Sequence, residues 1–206
     1  MGSTGGRRKN HGEAGHFLQW LEELQPTWYS AAPTIHRTIL IQAPIYRGEV
    51  ACHPLRFIRS AAAPLPAKLH EELEAVFGAP VIESYGMTEC YPITCNPMPP
   101  GKRVIGSAGI AAGAELEIFD DAGHSLMPGQ IGEIGVCAPQ MTRGYLNDPQ
   151  ANRASFVDRW FRTGDLGYLD GDGYLYITGR IKEIINRGGE KISPREVDEV
   201  LLEHRR

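Results

Sequence analysis

Residues 83–89, Glu-Ser-Tyr-Gly-Met-Thr-Glu, put an aromatic ring, a glycine, a hydroxyl and a carboxylate within five positions at Tyr85, Gly86, Thr88 and Glu89. A plain turn needs only the glycine. The other three offer a flat face, a donor and an anion, a set that suits a nucleotide carrying a metal ion. A hard carboxylate oxygen is the ligand type Mg²⁺ takes alongside substrate phosphates. Further on, Thr163-Gly164-Asp165 and Gly179-Arg180 flank a stretch that reads as a hairpin. Each residue alone also has a plain reading. Asp165 suits a turn, Arg180 and Lys182 a solvated face, Thr88 and Glu89 a helix start, and Tyr85 a core position.

These residues need elements to hold them. The 206 residues suffice for one or two domains, and a chain of this length buries roughly 70% of its unfolded surface. A net charge of −4 gives no reason to expect nucleic acid as partner. No run approaches the ~18 apolar residues of a membrane span, and no secretory signal is visible, so a cytoplasmic location is expected. Cys52, Cys90, Cys95 and Cys137 form no CxxC pair. Even with His53 beside Cys52, they read as free thiols in a reducing compartment rather than a zinc site.

Residues 1–16 are glycine-rich and polar and read as a mobile tail; their Gly-Ser-Thr-Gly-Gly-Arg-Arg-Lys run lacks Walker spacing. A helix with Phe17, Leu18, Trp20, Leu21 and Leu24 on one face ends at Pro26. A second helix has Pro33 in its first turn. Residues 55–60 read as a strand. Residues 65–78 read as a helix with Leu69, Leu73, Val76 and Phe77 inward and Gly78 at its end. Residues 79–86 read as the next strand. Strand, helix, strand is the grammar of a parallel sheet, whose ligands gather at the strands' carboxyl ends. Ser60–Pro66 and Ser84–Glu89 therefore share one crevice. From about residue 113 the pattern becomes antiparallel hairpins forming a barrel or folded sheet, with Asp170–Gly173 at one tip. A strand from Ile181 to Ile185 then meets a Gly188–Gly189 turn. Ser193, Pro194 and Glu196 read as a capping box opening a helix with Val197, Val200 and Leu201 as its apolar stripe.

Four stretches occur in order: SYGMTE, GEIGVCAPQMTRGYLNDP, WFRTGDLGYLDGDGYLYITGR and RIKEIINRGGEKISPREVDEVL. In order and spacing they resemble the adenylate-forming, AMP-binding superfamily over residues 17–206. The early stretch FLQWLEELQPTWYSAAPTIHRTIL is most similar to the oxalate–CoA ligase branch. The resemblance implies a partial α/β fold in four parts: a tail over 1–16, a nucleotide-binding subdomain over 17–112, an antiparallel β subdomain over 113–180 and the start of a lid over 181–206. It implies an acid–thiol ligase in which a small carboxylic acid attacks ATP to give an acyl-adenylate, and the thiol of CoA then takes the acyl group. Tyr85 would stack on adenine, with Ala61, Ala62, Ala63, Ser84, Gly86 and Met87 around the nucleotide. Thr88 would donate to the α-phosphate, Glu89 would hold Mg²⁺, and Asp165 and Arg180 would clasp the ribose. Lys182 falls at the hinge, and Gly188 and Gly189 on the thiol's route. Ala61 and Ala62 stand where the family often has glycine. The family's phosphate loop and its final lid lysine have no clear counterpart, so the 206 residues alone are expected to be inactive. Two other readings are a carrier-protein-loading adenylation domain and a non-catalytic nucleotide-binding or structural fragment.

Overall fold

A computed structural model describes residues 13–46, 54–187, 190–194, 197, 200 and 201. The readings placed on residues 1–12, Cys52, His53, Gly188, Gly189 and Glu196 lie outside these residues, while residues 13–16 of the expected tail are helical instead.

The first half is built by helices laid on a parallel sheet. Helix α1 (Glu13–Leu24) precedes strand β1 (Trp28–Ala31), and Pro33 opens helix α2 (Pro33–Gln42), where its missing N–H costs nothing. Strand β2 (Phe57–Ser60) leads into helix α3 (Ala67–Phe77) and then strand β3 (Val81–Met87). Gly78 ends α3 at φ 61° and donates its N–H to the Glu74 carbonyl, the left-handed close that glycine makes without strain. β1, β2 and β3 run parallel, with Tyr29 beside Ile58 and Ile58 beside Val81. These three pack with Leu21, Ile39 and Leu73 into one core.

Three expectations change here. Strand β1 was not anticipated, because four residues beginning at Trp28 carry no period of their own; pairing with β2 creates it. Trp20 and Leu24 of α1 are 49% and 72% exposed, while Leu21 is fully buried and Phe17 partly so. In α3, Val76 is 40% exposed and His70 takes the inward place with Leu69, Leu73 and Phe77. His70 is one residue after Leu69 and three before Leu73, inside the same helical stripe.

Strand β4 (Cys90–Cys95) returns antiparallel to β3, and β5 (Ile110–Ala111) pairs with β4. The second half forms a separate antiparallel sheet. It comprises β6 (Glu115–Phe119), β7 (Gly132–Cys137), helix α4 (Pro149–Ser155), β8 (Phe156–Val157), β9 (Trp160–Leu169) and β10 (Leu175–Arg180). Its order is β10-β9-β7-β6, with β8 on β9, a folded sheet with two ends. The β9–β10 turn follows the sequence pattern: the Asp170 carboxylate accepts from the N–H groups of Asp172 and Tyr174 at 2.9 Å.

The halves join through β4 and the segment after it. Ile93 of β4 is buried among Ile118, Ile134, Val136 and Leu175. Leu175 exchanges backbone hydrogen bonds with the neighbouring segment: its N–H donates to Gly109 at 2.9 Å and its carbonyl accepts from Ala108 at 2.8 Å. A Cβ at Gly109 would fall 2.1–2.3 Å from the Cys95–Asn96 backbone, and its φ is +91°.

After β10, residues Ile181–Glu183 form a 3-10 turn, and β11 (Ile185–Arg187) pairs antiparallel with β12 (Glu190–Ile192). This replaces the single strand expected over 181–185. The Ser193 hydroxyl, expected to cap a helix, donates instead to the Thr178 carbonyl at 2.7 Å. Residues 194, 197, 200 and 201 are helical, and Val197, Val200 and Leu201 are 44%, 68% and 64% exposed.

Candidate nucleotide site

A cavity of about 620 Å³ opens where β2 and β3 end and the β9–β10 hairpin faces them. Ser60, Ala62, Ala63 and Pro64 form one wall, and Glu83–Gly86 form the next. Asp165, Gly179 and Arg180 close it from the second sheet. Of the crevice read from Ser60–Pro66 and Ser84–Glu89, the cavity takes in Ser60, Ala62–Pro64, Pro66 and Ser84–Gly86 but not Met87, Thr88 or Glu89, and the antiparallel half supplies its far side.

The hairpin explains how residues fifteen apart meet. Asp165 and Arg180 are direct cross-strand partners in the β9–β10 ladder. Arg180 Nε lies 2.8 Å from Asp165 Oδ1, and the Tyr85 phenol donates to Asp165 Oδ2 at 2.5 Å. Asp165 is 3% exposed. A carboxylate this deep is tolerated because both oxygens are engaged by strong donors. Gly164 sets its aim. At φ +72°, with open space where a Cβ would lie, it bends the strand by conformation alone, at the register shift between β7 and β9. Its N–H donates to Glu133 Oε1 at 3.0 Å, and the Asp165 N–H donates to Thr163 Oγ1 at 3.1 Å. Burial first, and the Asp165 charge second, push the Tyr85 phenol far above the usual tyrosine range. It therefore stays a donor at any working pH.

Ala62 lies on the wall at φ +73°, the left-handed region that glycine enters freely. An alanine held there costs about 1–2 kcal/mol. Small side chains at Ala62, Ala63 and Gly86 leave the backbone accessible to a flat ligand. Gly86 also carries the Tyr91 ring, whose Cδ2 would lie 2.5 Å from an added Cβ.

Other singled-out residues stand off the wall. Ala61 donates its N–H to the Ala31 carbonyl, and Met87 packs partly buried against the second core. Thr88 and Glu89 form the two-residue turn between β3 and β4 rather than an open loop, with Thr88 exposed. Lys182 is exposed in the 3-10 turn, next to Glu183 on the wall.

Glu89 is held from two sides. Its carbonyl accepts from the Thr142 N–H at 2.7 Å, and its Oε1 accepts from the Tyr145 phenol at 2.7 Å. Among the described residues no group of three His, Cys, Asp or Glu side chains could cage a metal. One oriented carboxylate with its second oxygen unengaged by any described side chain fits Mg²⁺ that arrives with nucleotide phosphates, since that ion keeps most of its ligands from water and substrate.

Two features escaped the sequence reading. Glu83 lines the cavity at 8% exposure, with His70 Nδ1 3.5 Å from its Oε1. Strand alternation from Tyr85 was the signal, since residues two apart share a face. The Tyr145 contact with Glu89 spans 56 residues and left no local signal.

Cys90, Cys95 and Cys137 carry free thiols, and burial pushes those of Cys90 and Cys95 up. Among the described residues, no helix is long and apolar enough to cross a membrane.

The family model described as AMP-binding enzyme matches residues 4–146. A probable CoA ligase of Humulus lupulus is 50% identical over 180 residues, covering 86% of this chain and 34% of the relative. The oxalate–CoA ligase of Arabidopsis thaliana is 48% identical over 192 residues, covering 89% of this chain and 36% of the relative. The crystal structure of ATP-bound MatB from Rhodopseudomonas palustris superposes with a TM-score of 0.85 at 32% identity, covering 94% of this chain and 38% of that one. The chain spans about a third of the length of the curated relatives it matches. With a family model spanning more than half of its residues, the chain belongs to the AMP-binding enzymes.

Proposed function

We propose that this chain is the adenosine-binding portion of an AMP-forming acid–thiol ligase, which joins a small carboxylic acid to ATP as an acyl-adenylate and passes the acyl group to CoA. The single observation that carries this is the buried Asp165, clasped by Arg180 and Tyr85 on the wall of a cavity lined by small residues. Each carboxylate oxygen has lone pairs beyond those taken by the protein, so the ribose hydroxyls can donate to Asp165. Charge-assisted bonds of this kind are worth about 1.5–3 kcal/mol each.

Tyr85, Ser84, Gly86, Ala62 and Ala63 receive the base, with Ala61 tying their strip to Ala31 and Met87 backing the strand end. Thr88 faces the α-phosphate. Glu89 holds Mg²⁺, which when bound neutralises phosphate charge. Among the described residues lining the cavity, Arg180 is the one cation, so these residues bind and orient the nucleotide rather than stabilise departing pyrophosphate. Turnover by the 206 residues alone is accordingly not expected. By the family resemblance Lys182 serves as the hinge of a lid that begins near residue 181, and Gly188 and Gly189 are the residues assigned to the thiol's path. The portions over 17–112, 113–180 and 181–206 divide the work between base, ribose and lid. Oxalate is the first acid to try, because the Arabidopsis relative is named for it. The free thiols suit a reducing compartment such as the cytosol.

Calorimetric titration of AMP into the chain tests the reading. Asp165→Ala should weaken binding about tenfold or more, the loss of one charge-assisted pair. Unchanged affinity in a variant with native circular dichroism would remove Asp165 from the ribose role.

A further inference from the structure

Glu89 sits at a hairpin tip, a place where side chains ordinarily sample several rotamers. Here a second element is fastened onto it. The Tyr145 phenol donates to Glu89 Oε1 at 2.7 Å, and the Thr142 N–H donates to the Glu89 carbonyl at the same distance. Tyr145 is fixed in turn by a reciprocal pair with Asn152 of α4: its N–H donates to Asn152 Oδ1 at 2.6 Å, and Asn152 Nδ2 donates to its carbonyl at 2.9 Å. The approach is close enough to demand Gly144, where an added Cβ would stand 2.8 Å from Asn152 Oδ1 at φ +138°. Asp148 anchors α4 itself by accepting from the Ala151 N–H at 2.9 Å.

We infer that Tyr145 is a positioning residue for Glu89: held by Asn152, its phenol occupies Oε1 and presents Oε2 to a divalent cation carried by the nucleotide. The inference rests on the proposed role of Glu89 and adds a residue that acts through it. Partners that orient a metal-ligating carboxylate commonly govern metal affinity by 10–100-fold. The phenol can do so only while the α4 clamp holds the Tyr145 backbone, so two separate edits should have graded effects.

The test uses the whole chain and Mn²⁺ as probe, with ATP present, read as free Mn²⁺ by electron paramagnetic resonance. Tyr145→Phe should weaken the Mn²⁺–ATP complex about tenfold, and Asn152→Ala should weaken it severalfold. Metal-free AMP affinity, read by calorimetry, should stay within about twofold in both. Tyr145→Phe in a Glu89→Gln background should add almost nothing, since the two act as a unit. If Glu89→Gln lowers Mn²⁺ affinity and Tyr145→Phe does not, the positioning role is wrong and the role of Glu89 stands. If neither lowers it, the role of Glu89 fails and takes this inference with it. Loss of metal-free AMP binding in Tyr145→Phe would show a merely structural contact and would also overturn it.

Discussion

The two sheets reach the cavity by different geometries. The parallel sheet offers strand ends and the links after them, so Ser60 and Ser84 come together only because β2 and β3 pair across helix α3. The antiparallel sheet offers a ladder, in which Asp165 and Arg180 face each other by register. The parallel half presents small side chains and backbone together with the Tyr85 ring and the Glu83 carboxylate, and the ion pair of Asp165 and Arg180 comes from the other half. The division follows from burial. On the parallel side the Glu83 carboxylate is buried beside His70, whereas across the hairpin ladder the buried Asp165 is paired with an Arg180 that reaches solvent.

This contrast can be broken at the joint, weakened on one side, or tuned at the ladder. Gly109→Ala should act most strongly. Its Cβ has no place beside the Cys95–Asn96 backbone, and its φ of +91° adds strain, so a loss of more than about 3 kcal/mol is expected. Urea unfolding should show a large fall in midpoint, and in the extreme two separate transitions as the halves come apart. A midpoint within measurement error of the parent would mean that Gly109 does not join them.

Acid should loosen the parallel half next. His36 is fully buried in α2, with Tyr29 Oη 3.3 Å from its Nδ1, and burial lowers it to about 4. The folded state therefore keeps the ring neutral, while the unfolded chain takes a proton near 6.5. The stability contributed by this site is complete above about pH 6.5 and falls away as pH drops toward 4, by ~2 kcal/mol at pH 5. Hydrogen exchange at pH 7.5 and 5.0 should show β1 and β2 losing protection ahead of β7 and β9. In His36→Leu this acid-dependent difference should vanish; its persistence would place the cause elsewhere.

The mildest edit is Gly164→Ala. No atom lies within 4 Å of the added methyl, so only the positive φ resists it, at about 1–2 kcal/mol. Stability should move little and AMP affinity should drop severalfold as Asp165 turns away from the cavity. A variant that loses stability but binds AMP normally would show that Gly164 does not aim the carboxylate.

The same contrast explains what could be read from sequence. Asp170–Gly173 and the two strands beside it were legible because a hairpin is a local object, and register then delivers Asp165 to Arg180. Helix α3 and strand β3 were legible from period and from Gly78. Strand β1 was not, because its partner lies 29 residues away. Val76 and His70 exchanged places because a helical stripe is wide enough to admit either, and Glu83 with Glu74 gives the imidazole polar neighbours that no local pattern displays. Ser193 was legible as a capping residue by type, yet close packing against Gly179 turns its hydroxyl toward β10 instead. The Tyr85 phenol's bond to Asp165 crosses 80 residues and leaves no local mark in the sequence, which displays only the ring's flat face.

The placement of the indoles has an optical consequence. Trp28 stacks on Phe57, Trp160 packs edge-on against Phe119, and Trp20 lies on α1 beside His16. None of the three lines the cavity. Intrinsic emission excited at the indole band is therefore a gauge of sheet and helix integrity, and it should stay silent while nucleotide enters. A fourth indole introduced as Glu183→Trp, on an exposed stretch of the cavity wall, would add an emission that responds as nucleotide enters, over a background from the other three that does not.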